Sequence, residues 1–245
     1  KDFRTLLSSS NYIRKLANEQ SDHAYYDRLY QKFALLLQND NIDFQIIVNA
    51  TERVKDISGA IVLRAIGPGK FAHEMMAMYL STQARMAQDG ELVIWSVCDE
   101  LPWFQGSVRR PDLVRTSIRR NGEQIHVHFE LIELKFISHT IFESERYDAI
   151  KQVKAGLDLY RSRFLFQDHP ANAELWRREL VYYLLEYGTY SVEHALLLKD
   201  FQGVQIHNIE VTCSGSIDTF VYTSNLLELS MMEGHVNGYQ TELLN

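Results

Sequence analysis

Apolar and polar positions alternate most regularly between Pro111 and Phe136. From Leu113 the chain reads Leu-Val-Arg-Thr-Ser-Ile-Arg-Arg, passes Asn121-Gly122, and continues Glu-Gln-Ile-His-Val-His-Phe-Glu-Leu-Ile-Glu-Leu-Lys-Phe. A period of two on both sides of Asn-Gly predicts a β-hairpin over 111–136, because a type I′ turn needs φ > 0 at both central residues. With Asn121-Gly122 as the turn, Arg120 faces Glu123 and Asp112 lies opposite Leu131. One face then carries Asp112, Val114, Thr116 and Ile118 with Ile125, Val127, Phe129, Leu131, Glu133 and Lys135. Glu133 stands one diagonal step from Asp112, about 7–8 Å between backbone positions across the strands. His126, His128 and Glu130 fall on the opposite face, and a β-bulge would change these assignments.

Elsewhere the period lengthens. Residues 11–16 and 25–37 carry apolar positions three and four apart, Tyr26, Leu29, Tyr30, Phe33, Leu36 and Leu37 among them, and predict helices. The β-branched runs at 43–48 and 60–66 predict short strands. Gly67-Pro68-Gly69 predicts a turn. A helix is expected over 70–88, with Phe71, Met75, Met78, Tyr79 and Met86 for packing. A strand over 91–98, a loop over 99–106, and helices over 143–164 and 173–187 follow. Strands are expected over 204–213 and 219–223, separated by a Ser214-Gly215-Ser216 turn. Helix, strand, long hairpin, helix is the order of an α/β layered domain, a mixed sheet flanked by helices with additional N- and C-terminal α+β segments. The expected division is an N-terminal extension over 1–66, a core over 67–165 and a C-terminal extension over 166–245.

Composition narrows the class. The 245 residues are 46% hydrophobic, ordinary for a globular chain with a sizeable core. No apolar run approaches the ~20 residues of a membrane span, so no membrane partner is expected. Cys98 and Cys213 form no CxxC and read as buried thiols in a reducing, cytoplasmic compartment. The sequence has no secretory pattern and starts at Lys1 without Met, as expected of a module from a larger protein. The net charge of −7 argues against coating nucleic acid by bulk charge. A nuclease needs only a local basic path beside an acidic pocket, and stays open.

Two carboxylates and an ammonium at a strand end suit a hard divalent cation, which takes one or two carboxylates plus water and substrate phosphate. Pro111-Asp112, followed on the next strand by Glu133-Leu134-Lys135, resembles the PD-(D/E)xK motif of the restriction-endonuclease-like nucleases. The resemblance covers roughly residues 67–165. It implies a restriction-endonuclease-like core in which Asp112 and Glu133 bind catalytic Mg²⁺, with Mn²⁺ able to substitute, and Lys135 assists the attacking water. It also implies a glutamate on the helix before the first core strand, matched by Glu74 as a third metal ligand. A polar residue on the helix after the lysine strand is matched by Gln152, and Tyr160 belongs to a position where some members place a tyrosine. The separation of Asp112 and Glu133 departs from compact members.

The activity so implied is Mg²⁺-dependent hydrolysis of DNA phosphodiester bonds, in a module of a larger restriction, defence or DNA-processing protein. Further domains, subunits or a second copy are the other expected partners. Arg109, Arg110, Lys151 and Lys154 are the expected backbone contacts, since guanidinium binds phosphate bidentately. Arg115 and Arg119 lie on the face away from the carboxylates. Two alternatives remain: an inactive nuclease-fold scaffold that binds nucleic acid or protein, and a protein-interaction domain in which Asp112, Glu133 and Lys135 form an ion network. His126 and His128 read as a strand pair rather than metal ligands. Gly67-Pro68-Gly69-Lys70 is not a phosphate loop, because Arg64 replaces its first glycine and Phe71 its Ser/Thr.

Overall fold

A computed structural model describes residues 19–37, 40–67, 71–107, 109–138, 142–168, 170–187, 191–223, 226–227 and 239–244. The helix expected over 11–16, Pro68 and Gly69 of the expected turn, and Lys70 at the start of the helix expected after it lie outside the described residues. The chain divides into two compact units. The first comprises the described parts of 1–85, 134–143 and 218–241, the second those of 86–133, 144–217 and 242–245.

The first unit is mainly helical: α1 (Glu19–Leu37), α2 (Phe44–Lys55), α3 (Gly59–Ala65) and α4 (Phe71–Gln83). The strands expected over 43–48 and 60–66 are helices instead. Asp43 accepts from the Gln45 amide at 2.9 Å and Ser58 from the Ile61 amide at 3.4 Å. Such caps satisfy amide donors that an isolated helix start leaves unpaired. Ile47, Ala50, Thr51 and Val54 then bury one face of α2, which shows a period of 3.6 that the short β-branched run concealed. Helix α4 ends at Gln83, short of Gln88, and Met86 is exposed. Arg85, just past α4, clamps the fully buried Asp218 through two bonds, of 2.5 and 2.8 Å. Ala77 and Phe220 form a small apolar cluster with Leu80, Leu134 and Phe136.

The second unit holds a mixed four-stranded sheet flanked by helices, an α/β arrangement. Its strands are β1 (Leu92–Val97), β2 (Leu113–Asn121) and the first parts of β3 (Gln124–Ser138) and β4 (Ile209–Thr223), in the order β1-β2-β3-β4. The last residues of β3 and β4 belong to the first unit. Short β5 (Leu226–Leu227) and β6 (Tyr239–Leu244) both pair with β4. β1, β2 and β3 are successively antiparallel. Side-chain partners advance together along β3 and β4: His126 meets Glu210, His128 meets Thr212 and Ser214, and Glu130 meets Ser216. These two strands therefore run parallel. Parallel neighbours need a long crossover, supplied by α5 (Phe142–Phe164), α6 (Pro170–Tyr187) and α7 (Val192–Gly203). Residues 192–203, given no element by the sequence pattern, form a helix capped by Ser191.

Helix α5 lays Ala149, Val153, Leu157, Tyr160 and Phe164, all buried, against the apolar sheet face expected from the hairpin pattern. Phe129 is the centre of this core, with the Tyr160 and Phe164 rings 4.9 and 5.2 Å away. Trp103 Nε1 donates to the Tyr160 hydroxyl at 3.0 Å, so Tyr160 is a satisfied core residue. The Ser214-Gly215-Ser216 turn does not exist, because this tripeptide runs through the middle of β4. A Cβ on Gly215 would lie 2.3 Å from Val153 Cγ1 and 3.1 Å from Leu157 Cδ1. The glycine lets α5 approach the strand.

Candidate active site

The hairpin turn sits one residue later than Asn-Gly predicts. Asn121 pairs with Gln124, and Gly122, at φ 62°, takes the first turn position. Cross-strand partners consequently shift by two residues: Val114 faces Leu131, Thr116 faces Phe129 and Ile118 faces Val127. An even shift preserves which residues share a face. Val114, Thr116, Ile118, Ile125, Val127, Phe129, Leu131 and Glu133 are all buried.

Asp112 lies just beyond the regular ladder. Its N–H donates to the Ile132 carbonyl at 3.0 Å, although Ile132 already pairs with Leu113. Two residues thus meet one at this end of the hairpin, an irregularity of the bulge kind. The Asp112 amide is thus fastened to the residue preceding Glu133. Its own carbonyl accepts from the Cys98 amide at 2.9 Å. The Pro111-Asp112 segment is therefore held between β3 and the end of β1.

Cys98 lies within electrostatic range of both motif carboxylates. Its thiol is fully buried, and burial pushes its pKa well up, with the negative charges of Asp112, Glu133 and Asp99 adding to the effect. Glu133 is only 2% exposed and Asp112 is half-buried. Low solvation strengthens any interaction these oxygens make with a cation. Among the described residues no group of three or more His, Cys, Asp or Glu side chains is placed to hold a metal ion. Mg²⁺ asks for less, since one or two carboxylates suffice when water and phosphate complete its shell. The hard oxygen donors of Asp112 and Glu133 fit that requirement.

Of the other expected residues, Lys135 is half-buried and stands two residues beyond Glu133 along β3, in the first unit. Glu74 is exposed in the first turn of α4, also in the first unit. Gln152, on α5, donates through Nε2 to the Arg110 carbonyl at 3.2 Å. It thereby grips the chain two residues before Asp112. Arg110 forms an ion pair with Asp99 and donates to the Ser107 carbonyl at 2.7 Å. The Asp99 hydrogen bond raises the guanidinium pKa further, so this arginine is committed locally. Arg109 and Lys154 are exposed. Lys151 pairs with Asp148 at 3.3 Å and lies over the Tyr147 ring, 3.6 Å from its centroid.

On the opposite sheet face, Glu91 receives Arg115 and Arg119, each at 3.1 Å. Burial pushes the Glu91 carboxyl up, but the Gln88 amide and the two guanidinium groups outweigh it and leave the pKa lowered. His128 binds Thr212 and Ser214 through its two ring nitrogens, at 2.8 and 2.9 Å. His128 and these arginines knit strands together on the face away from Glu133. Sequence reasoning missed Gly156. A Cβ there would stand 2.8 and 2.9 Å from Pro111 Cδ and Cγ. The available signal was an isolated glycine inside a helical pattern, which costs about 1 kcal/mol relative to Ala and so asks for a packing reason.

No family model matches this sequence, and neither a curated protein nor a solved structure matches the chain. Among the described residues no helix is long and apolar enough to cross a membrane.

Proposed function

We propose that the chain is a Mg²⁺-dependent nuclease module of the PD-(D/E)xK type, hydrolysing DNA phosphodiester bonds. The observation that carries this reading is the Asp112 amide bonded to the carbonyl of Ile132, the residue before Glu133, which puts the two motif positions side by side at the head of the hairpin. Support also comes from the element order, with helix α4, three antiparallel strands and α5 standing in the order expected for such a core. Asp112 and Glu133 would hold the cation, and Glu74 is the further acidic residue to test. Bound Mg²⁺ supplies charge neutralisation at the phosphate and an acidified water. Lys135 orients the attacking water and stabilises charge that develops on the phosphoryl oxygens. Gln152 acts through the Arg110 carbonyl, holding the segment that carries Asp112. Lys154 and Arg109 offer exposed charge for phosphate contact.

Cleavage of plasmid and linear DNA with Mg²⁺ or Mn²⁺ tests this reading. Wild type should cut, and EDTA should stop it. Asp112→Ala and Lys135→Ala should each lower the rate by about 10²–10³-fold, the loss typical of removing one electrostatic stabiliser. Equal background degradation by all three proteins ends the enzyme reading. Retained DNA binding without any cleavage favours the scaffold.

A further inference from the structure

We infer that Gly156 is a positioning residue for Asp112, and that the contact of α5 with Pro111 sets where the carboxylate stands. This rests on the nuclease reading for its catalytic consequence, but not for its geometry. Helix α5 touches the segment before Asp112 twice within little more than one turn. Gln152 holds the Arg110 carbonyl, and Gly156 meets the Pro111 ring. A methyl group on Gly156 would lie 2.8 Å from Pro111 Cδ, 2.9 Å from Cγ and 3.4 Å from Leu131 Cδ1. The first two distances are too short for carbon atoms in contact, which settle at about 3.5–4.0 Å.

What must yield decides the consequence. A long side chain would swing aside, but the Pro111 ring is welded to the backbone and cannot. The strain therefore passes into the Pro111-Asp112 peptide. On the far side of that peptide Asp112 is fixed by its N–H to the Ile132 carbonyl and by the Cys98 N–H to its own carbonyl. Displacing it moves the carboxylate relative to Glu133. Errors of about 1 Å in such a constellation can cost on the order of 10²-fold in rate.

Gly215 supplies the matched control. It also sits against α5, but from β4, where an added Cβ would strike Val153 and Leu157 rather than Pro111. Gly156→Ala, Gly215→Ala and the double variant Pro111→Ala/Gly156→Ala separate position from packing. Gly156→Ala should lower cleavage about tenfold or more, at temperatures where circular dichroism shows it folded. The double variant, which removes Cγ and Cδ, should recover most of that loss. Gly215→Ala should lower the melting temperature while cleavage by the folded protein stays near wild type.

Wild-type cleavage by folded Gly156→Ala overturns the proposal, as does failure of the double variant to recover. If Gly156→Ala does not fold, the double variant must fold and cleave, and its failure to do so overturns the proposal equally. Hydrogen exchange of the Cys98 amide reads the same geometry without catalysis. It should quicken in Gly156→Ala and return in the double variant. Should wild type not cleave DNA at all, the nuclease reading falls and this exchange result alone decides the positioning role. Unchanged exchange then overturns it.

Discussion

His128 shows how one side chain ties pH to stability in this fold. Its ring nitrogens bond to Thr212 and Ser214 on the neighbouring strand. Burial lowers its pKa; Glu130 and Glu91 oppose this, while Arg115 and Arg119 reinforce it. The folded state therefore takes up its proton at lower pH than the unfolded chain, whose histidines titrate near ~6.5. The stability it contributes is present above that value and is lost as pH falls through the folded pKa. Melting temperatures measured from pH 8 to pH 5 should drop on the acid side of ~6.5, and His128→Gln should flatten that drop. An identical acid slope in the variant would move the effect elsewhere. At this scale the sequence told most about charged residues on the hairpin and least about glycine. Alternation placed Glu133 among buried neighbours and His128 across the sheet. Nothing local distinguished Gly215, threaded through a strand under a helix, from a glycine in a Ser-Gly-Ser turn.

At the level of elements, the long hairpin was legible because its pattern runs over many residues and its turn needs a positive φ. The turn moved by one residue, since Asn121 pairs with Gln124 and leaves Gly122 to lead the turn. Side-chain faces survived along the ladder from Leu113 to Asn121 because pairing moved by an even number, while Asp112 falls at the bulge-like irregularity outside it. Helices α2 and α3 were not legible. Their β-branched residues suggest strands over a short window, and side-chain caps with tertiary burial override that tendency. The same first unit carries a test of its own. Arg85 is 12% exposed at its side chain and Asp218 is wholly buried. Arg85→Ala should destabilise by about 3–5 kcal/mol, the usual consequence of breaking a buried pair from one side. Denaturant melts measure this directly. A change below about 1 kcal/mol, the scale of an exposed ion pair, would show that the clamp does not hold α4 to β4.

For the whole molecule, composition and element order were enough to read an α/β chain, and they did not reveal its two compact units. β3 and β4 contribute residues to both, so no linear segment of the sequence marks a unit. The candidate site has the same character. Asp112 and Glu133 were readable as a motif, whereas the grip of α5 on Pro111 depends on a contact between residues far apart in the chain.

The parallel pairing of β3 with β4 bears on the order in which the chain assembles. Residues 84 and 86 positions apart meet there, whereas the hairpin closes through a two-residue turn. Local contacts form before distant ones because each distant contact must first overcome the entropy of a long loop. Pulse-labelled exchange during refolding should protect β2 and β3 amides ahead of those of β4. Simultaneous protection would show that the sheet condenses in one step. If β4 is last, the nascent sheet exposes the outer edge of β3 until the crossover helices have docked, and that edge is where a chain held at high concentration would first stick to its neighbours.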